Sequence, residues 1–142
     1  MKKLIKAAVL AAAAPVMVAA VSVSPAHAAD SYTLNCSTTG ASGAVTVNGY
    51  EGNITKSFGV ILAVHDGAAD GHHVRIRLVG KGPGGTPVNW AWHYNYDGEG
   101  TTLSWNTTAQ YSSGLADVGL QVARYEGDTY LNSCTRWLNS EA

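Results

Sequence analysis

The chain has 142 residues, including two cysteines, four tryptophans and seven tyrosines, and its nine Lys and Arg face ten Asp and Glu. This length suits one domain that buries a core of its own. The charge balance lacks the basic excess of a nucleic-acid-binding protein. We therefore expect one globular domain with no nucleic-acid partner.

The first residues have the pattern of a targeting segment. Residues 1–6 carry three lysines, residues 7–23 are apolar, and Ala26-His27-Ala28 offers the small residues of a cleavage site. We predict a signal peptide over 1–28 and a secreted β-domain over 29–142. Without the three leader lysines, six Lys and Arg remain against ten Asp and Glu, a net charge of −4. We expect an extracellular protein without membrane contact, since no second span of membrane length follows.

Cys36 and Cys134 lie near the two ends of the predicted mature chain. In an exported protein an isolated pair predicts a disulfide, and a loop of this length implies roughly 4–5 kcal/mol of stabilisation. The bridge would join the first and last strands. No Cys-x-x-Cys or Cys-x-x-His spacing accompanies the pair, so we expect no metal there.

Apolar residues alternate with polar ones over most of the mature chain, which is the pattern of β-strands. Turns rich in Gly and Asp separate the runs, and no amphipathic helix is evident. The spacing predicts about eight strands in a single-domain, all-β antiparallel sandwich, or alternatively a flattened barrel. The predicted strands are Ser31–Ser37, Ala44–Gly49, Lys56–His65, two strands within His72–Tyr96, Thr101–Ala109, Leu115–Tyr125 and Tyr130–Arg136.

The segment from His72 to Tyr96 predicts a central hairpin with one apolar and one polar face. Matching the apolar residues places Ile76 opposite Trp92 and Arg75 opposite His93. The same matching pairs each central strand with the next, as a five-stranded meander. It assigns four aromatic residues to the core: Trp90, Trp92, Tyr94 and Trp105.

Possible catalytic and metal-binding groups are concentrated in one turn. His65, Asp66, Asp70, His72 and His73 surround it, and such a set can hold a metal ion or an acid–base pair. Turn chemistry with solvated histidines explains the same residues, and we favour that interpretation. No G-x-S-x-G motif is present, and the other carboxylates fall mostly in turns. We therefore expect no enzyme, metal or cofactor.

Three features suggest binding surfaces. The polar hairpin face suits an acidic protein surface or a carbohydrate, although a merely solvated sheet face is an equal alternative. Trp137, with Tyr96, Tyr111 and Tyr130, predicts an exposed aromatic patch, and residues 29–35 could add as a strand to another protein. The predicted polar face contains Arg75, Arg77, Asn89, His93, Asn95 and Gln121. The candidate partner-binding residues are Tyr32, Arg75, Arg77, His93 and Trp137.

The runs VRIRL, WAWHYNYDGEGTT and VARYEGDTYLNSCTRW, with the leader and the two terminal cysteines, resemble small secreted proteins of filamentous actinomycetes. Among these are the small adaptor subunits of umbrella toxin particles, in which a β-protein joins a lectin-like subunit to a large scaffold. The resemblance covers about the last two-thirds of the chain and transfers no site residue. It implies a non-catalytic subunit of a secreted, antibacterial complex.

Two functions are therefore expected for this chain. The first is a secreted protein-interaction module, an adaptor subunit of an extracellular complex. The alternative is a carbohydrate-binding module that uses exposed aromatic residues.

Overall fold

A computed structural model describes residues 30–139 of the chain, so the predicted leader lies outside the described residues. Nine strands and one short 3-10 turn, Pro83–Gly85, make up the fold. Among residues 30–139, no helix is long and apolar enough to cross a membrane. The strands are β1 (Ser31–Thr38), β2 (Ala41–Asn48), β3 (Phe58–Asp66), β4 (His73–Lys81), β5 (Pro87–Asn89), β6 (His93–Asn95), β7 (Thr102–Ala109), β8 (Asp117–Glu126) and β9 (Thr129–Trp137).

The strands form two antiparallel sheets packed face to face. The first sheet has the order β1-β2-β3-β7. The second has the order β5-β4-β8-β9, and β6 pairs with β4 as well. The predicted all-β sandwich is therefore confirmed, and the barrel alternative is wrong. The strand count rises to nine because the predicted strand across Asn89–Asn95 is divided into β5 and β6.

The predicted central meander is wrong. The chain crosses from one sheet to the other between β3 and β4, between β6 and β7, and between β7 and β8. Trp105 consequently pairs with Leu62 of β3, and neither Trp92 nor Leu120 is its partner. Apolar strand faces also meet across the core of a sandwich, so matched apolar phase alone does not identify hydrogen-bonded neighbours. The two-residue connections β1–β2 and β8–β9 are true hairpins.

The core lies between the two sheets, where alternate residues of each strand point inward. Core residues of the first sheet include Val45, Val47, Val60, Leu62 and Val64. Those of the second sheet include Val74, Ile76, Leu78, Val118, Leu120 and Val122. These are the residues that period-two alternation assigned to apolar faces. For these residues, alternation therefore identified the inner faces correctly even where the predicted strand pairing was wrong.

The predicted disulfide is confirmed. Cys36 of β1 and Cys134 of β9 are bonded across the two sheets, with their Cα atoms 6.0 Å apart. The bond joins the edge strands of the two sheets along one side of the sandwich. Such bonds persist in oxidising compartments, which is compatible with an extracellular protein.

A one-residue shift in the strand beside β4 determines what the outer face of the second sheet presents. In β5, Asn89 pairs with Val79, as the predicted hairpin register requires. In β6, His93 pairs with Ile76 and Tyr94 with Arg75, so one extra residue lies between the two short strands. Because side chains alternate between sheet faces, the extra residue exchanges the two faces for the rest of the strand beside β4.

Candidate functional site

The outer face of the second sheet carries a cluster of aromatic and basic side chains. Three alternate residues of β4 point to this face, and aromatic residues of the 92–96 segment and of the β8–β9 hairpin surround them. We call this set the outer cluster. It consists of His73, Arg75, Arg77, Trp92, Tyr94, Tyr96, Gln121, Tyr125 and Tyr130.

Arg75 lies at the centre of the outer cluster, covered by rings. Its guanidinium carbon is 3.4 Å from the centre of the Tyr125 ring, 4.9 Å from that of Tyr94 and 5.8 Å from that of Trp92. The rings leave Arg75 only 8 % exposed, although it is on an outer sheet face. The negative faces of aromatic rings attract a cation, which accounts for a charged side chain held this far from water.

The Arg75 guanidinium is only partly hydrogen-bonded. Nη2 donates to Nε2 of His73 at 2.8 Å and makes a long contact of 3.5 Å with the carbonyl oxygen of Gly127. Nε is buried and, within residues 30–139, has no hydrogen-bond partner. Buried polar groups are usually satisfied, and among residues 30–139 Arg75 Nε shares its unsatisfied state with Arg124 Nε.

Arg77 is the more accessible of the two cations. Its guanidinium carbon lies 4.3 Å from the centre of the Trp92 ring, and Nε donates to the Gln121 side-chain oxygen at 2.8 Å. Within residues 30–139, Nε is the only Arg77 nitrogen that donates a hydrogen bond. The guanidinium is thus held in one orientation by Trp92 and Gln121, with its two terminal nitrogens available.

His73 is neutral in this arrangement, because its Nε2 accepts a hydrogen bond from Arg75. Burial and the charges of Arg75 and His72 lower the pKa of His73, against the opposing charge of Asp128. A proton on Nε2 would remove the acceptor and place a second charge beside the Arg75 guanidinium. His73 therefore contributes an acceptor and a ring, and the positive charge of the outer cluster comes from the two arginines.

Three tyrosines of the outer cluster are exposed to solvent: Tyr94, Tyr96 and Tyr130. The rings of Tyr94 and Tyr96 are parallel, with centres 5.7 Å apart, and Tyr96 also lies 4.5 Å from the His73 ring. Tyr130 contacts Tyr125 edge-on at 5.7 Å. Tyr96 is 68 % exposed and Tyr130 is 55 % exposed. The outer cluster thus has a buried cationic centre and an exposed aromatic rim.

The two arginines differ from Lys81 and Arg124, two other cations of the second sheet, in their charge partners. Lys81 pairs with Asp117 at 3.3 Å, and Arg124 pairs with Asp70 at 2.9 Å. Among residues 30–139, neither Arg75 nor Arg77 forms an ion pair. Residues two apart on one strand are about 7 Å apart on the same face. Two unpaired positive charges therefore lie close together in a chain whose predicted mature form is acidic.

The structure brings together only some of the predicted partner-binding residues. Arg75 and Arg77 share the outer cluster, but the expected contact of Arg75 with His93 is wrong. The one-residue shift turns His93 toward the first sheet, where its ring lies 4.9 Å from that of Trp105. The same shift makes the predicted outer placement of Asn95 wrong. The Asn95 side chain is fully buried and donates a hydrogen bond to the Thr101 hydroxyl. His93 and Asn95 therefore do not belong to the outer polar face.

Two other candidates lie at the opposite end of the sandwich. Tyr32 lines a surface depression with Leu138 and Asn139, which follow β9, whereas the outer cluster lies beside the start of β9. Trp137 is on the outer face of the second sheet, with the Lys81 ammonium 4.3 Å from its ring centre. The predicted patch around Trp137 is wrong in part, because Trp137 is half-buried and Tyr111 packs against the core.

Four aromatic residues were expected in the core, and this expectation is correct for two of them. Trp90 and Trp105 pack against the core from the open side of the sandwich, where a cavity of about 240 Å³ lies between the sheets. Trp92 and Tyr94 are on the outer face with the arginines. Sequence reasoning missed these two and Tyr125 as site residues, since only the shift between β5 and β6 brings the first two beside Arg75.

The two aspartates of the histidine- and aspartate-rich turn make contacts within the turn and with Arg124. Asp66 is buried, and its Oδ1 accepts from the backbone N–H of Ala68. Asp70 lies 3.0 Å from His72 and pairs with Arg124. These contacts lower the pKa of Asp70, chiefly through a hydrogen bond from the His72 backbone. Within residues 30–139, no group of three or more His, Cys, Asp and Glu side chains could hold a metal ion.

Comparisons of the chain with protein-family models, with curated proteins and with solved structures find no match. The outer cluster is therefore interpreted from its own geometry and chemistry.

Proposed function

We propose that this chain is a secreted, non-catalytic protein-interaction module, an adaptor subunit of an extracellular complex, which binds its partner through the outer cluster. The exposed rim of Tyr94, Tyr96 and Tyr130 around the buried Arg75 supports this proposal. Tyrosine, tryptophan and arginine are the residues that contribute most of the binding energy in protein interfaces. The same residue types are enriched in interfaces relative to the rest of a protein surface.

The rigidity of the outer cluster also favours partner binding. Trp92 and Gln121 hold Arg77, and Tyr125 holds Arg75, so little side-chain entropy remains to be lost on association. An antibacterial toxin particle is the setting that the sequence resemblance suggests for such an adaptor.

Affinity capture from the native culture supernatant tests the proposal. The tagged mature protein is incubated with the supernatant, and co-purified proteins are identified by mass spectrometry. We expect one stoichiometric partner with the wild type, and its loss with a Tyr94→Ala/Tyr96→Ala variant. The matched control is Tyr32→Ala, since Tyr32 is exposed at the opposite end of the sandwich. Recovery of the protein alone, or equal capture by both variants, would reject the outer cluster as the binding surface.

Carbohydrate binding is the second candidate, and the exposure of Tyr96 and Tyr130 favours it. Sugars stack on free aromatic faces, yet Tyr94 and Tyr96 stack on each other, which leaves less ring surface for a glycan. Binding to insoluble polysaccharides distinguishes the two functions. Retention of the wild type on a polysaccharide, together with release of Tyr96→Ala, would establish the carbohydrate function.

A further inference from the structure

We infer that Arg77, with Arg75 behind it, forms a receptor for a carboxylate side chain in an acidic segment of the partner protein. This inference rests on the proposed function, because it names the chemistry of the partner at the same surface. Three observations support it: the missing counter-charge, the orientation of the Arg77 guanidinium, and the surrounding tyrosines.

The first observation is the charge of the outer cluster. A buried charge is costly unless it is paired, and neither arginine has an ion-pair partner among residues 30–139. Within the described part of the chain, Arg75 in addition has a buried Nε without a hydrogen bond. Contacts with aromatic rings offset part of this cost, but they supply no negative charge. An anionic ligand would supply a counter-charge beside the two arginines.

The second observation concerns geometry. A guanidinium recognises a carboxylate best through two parallel hydrogen bonds, which require a fixed plane and free terminal nitrogens. Trp92 and Gln121 provide the fixed plane for Arg77, and its hydrogen bond to Gln121 uses Nε alone. A phosphate is typically bound by a cluster of donors. Here the rings cover Arg75, so the Arg77 guanidinium is the accessible one of the two. The site therefore fits a planar carboxylate better than a phosphate.

The third observation distinguishes a protein carboxylate from that of an acidic sugar. Tyr94 and Tyr96 use ring surface on each other, and Tyr130 is packed edge-on against Tyr125. Such rings offer edges and hydroxyl groups, which suit an irregular peptide surface more than a flat pyranose. An Asp or Glu side chain flanked by apolar residues would pair with Arg77 and contact these tyrosines.

Side-chain NMR of the mature protein tests this inference. Arginine Nε–H and tryptophan indole N–H signals are followed while capped hexaglutamate is added, with capped hexaglutamine and hexagalacturonate as the comparison ligands. We expect hexaglutamate to shift the Arg77 and Trp92 signals to saturation and hexaglutamine to shift neither. Arg77→Gln should weaken hexaglutamate binding at least about tenfold. The matched control is Arg136→Gln, which removes the same charge from an exposed arginine of β9.

If Arg77→Gln and Arg136→Gln weaken hexaglutamate binding equally, the binding depends only on net charge, and the inference is overturned. Tighter binding of hexagalacturonate than of hexaglutamate would assign the site to an acidic polysaccharide and also overturn it. The capture experiment distinguishes failure of the carboxylate receptor from failure of the adaptor function. A supernatant partner retained equally by wild type and Arg77→Gln would leave the adaptor function standing and reject the carboxylate receptor.

Discussion

The guanidinium of Arg75 lies over the face of Tyr125, with 3.4 Å between the guanidinium carbon and the ring centre. Arg75 is in β4 and Tyr125 in β8, so the contact connects two neighbouring strands on the outer face of the second sheet. A desolvated cation over an aromatic ring is stabilised by up to about 2 kcal/mol. This contact therefore contributes to the stability of the fold as well as to the shape of the outer cluster.

Replacement of Tyr125 tests the strength of that contact. We expect Tyr125→Leu to lower the free energy of unfolding by about 1–2 kcal/mol, since the apolar bulk remains and the ring is lost. Urea unfolding measures the change. Tyr32→Leu is the control, because Tyr32 has no cationic group over its ring among residues 30–139, and it should cost less than about 0.5 kcal/mol. Similar losses in both variants would contradict the prediction.

The disulfide should account for a large part of the stability. Removing a cross-link that closes a loop of this length costs about 4–5 kcal/mol, so Cys36→Ala/Cys134→Ala should unfold at a much lower urea concentration. The reduced wild-type protein provides the control and should unfold at nearly the same concentration as the variant. A change in the free energy of unfolding below about 1 kcal/mol would show that the two edge strands hold together without the bond.

Stability should decrease as the solution becomes acidic, because His73 has a lowered pKa in the folded protein. The unfolded chain then binds a proton more readily, so the His73 contribution is complete above pH 6.5 and is lost as the pH falls through the lower folded-state pKa. Arg75, His72 and Asp128 are the charged or titratable groups that act on it.

Urea unfolding between pH 8 and pH 5 measures this dependence. His73→Gln retains a side-chain oxygen that can accept from Arg75 but does not titrate. We expect its free energy of unfolding to decline less steeply below pH 6.5 than that of the wild type. Parallel curves for the two proteins would show that other groups cause the acid sensitivity.

Two strand glycines should respond oppositely to the same substitution. A Cβ at Gly119 would collide with the carbonyl oxygen of Arg136 and crowd the Trp137 ring, so Gly119→Ala should cost about 1–3 kcal/mol. A Cβ at Gly59 would meet only the Asn48 side chain and carbonyl oxygen, at 3.5 Å or more. Gly59→Ala should therefore stabilise the protein by about 0.5–1 kcal/mol. Thermal unfolding measures both changes: the midpoint temperature should fall below that of the wild type for Gly119→Ala and rise above it for Gly59→Ala.

The strands and their inner faces could be predicted from local pattern. Alternation marked Val60, Leu62 and Val64 as one apolar face, and all three are buried. Such a pattern depends only on the two-residue period of an extended chain. The disulfide between Cys36 and Cys134 was likewise predictable, because two cysteines have one possible pairing and the leader pattern predicts export.

The choice of strand neighbours and the composition of the outer cluster required the tertiary structure. Apolar residues match equally well beside one another in a sheet and across a core, so Trp105 was assigned to the wrong neighbour when its actual partner is Leu62. The single extra residue between β5 and β6 moved Trp92 and Tyr94 to the face of Arg75. Sequence alternation by itself therefore determined where most strands lie and which of their residues face inward, except across Asn89–Asn95, where it assigned Trp92 and Tyr94 to the wrong face. Only packing of the two sheets decided where a strand shifts register, because that position depends on contacts between distant segments.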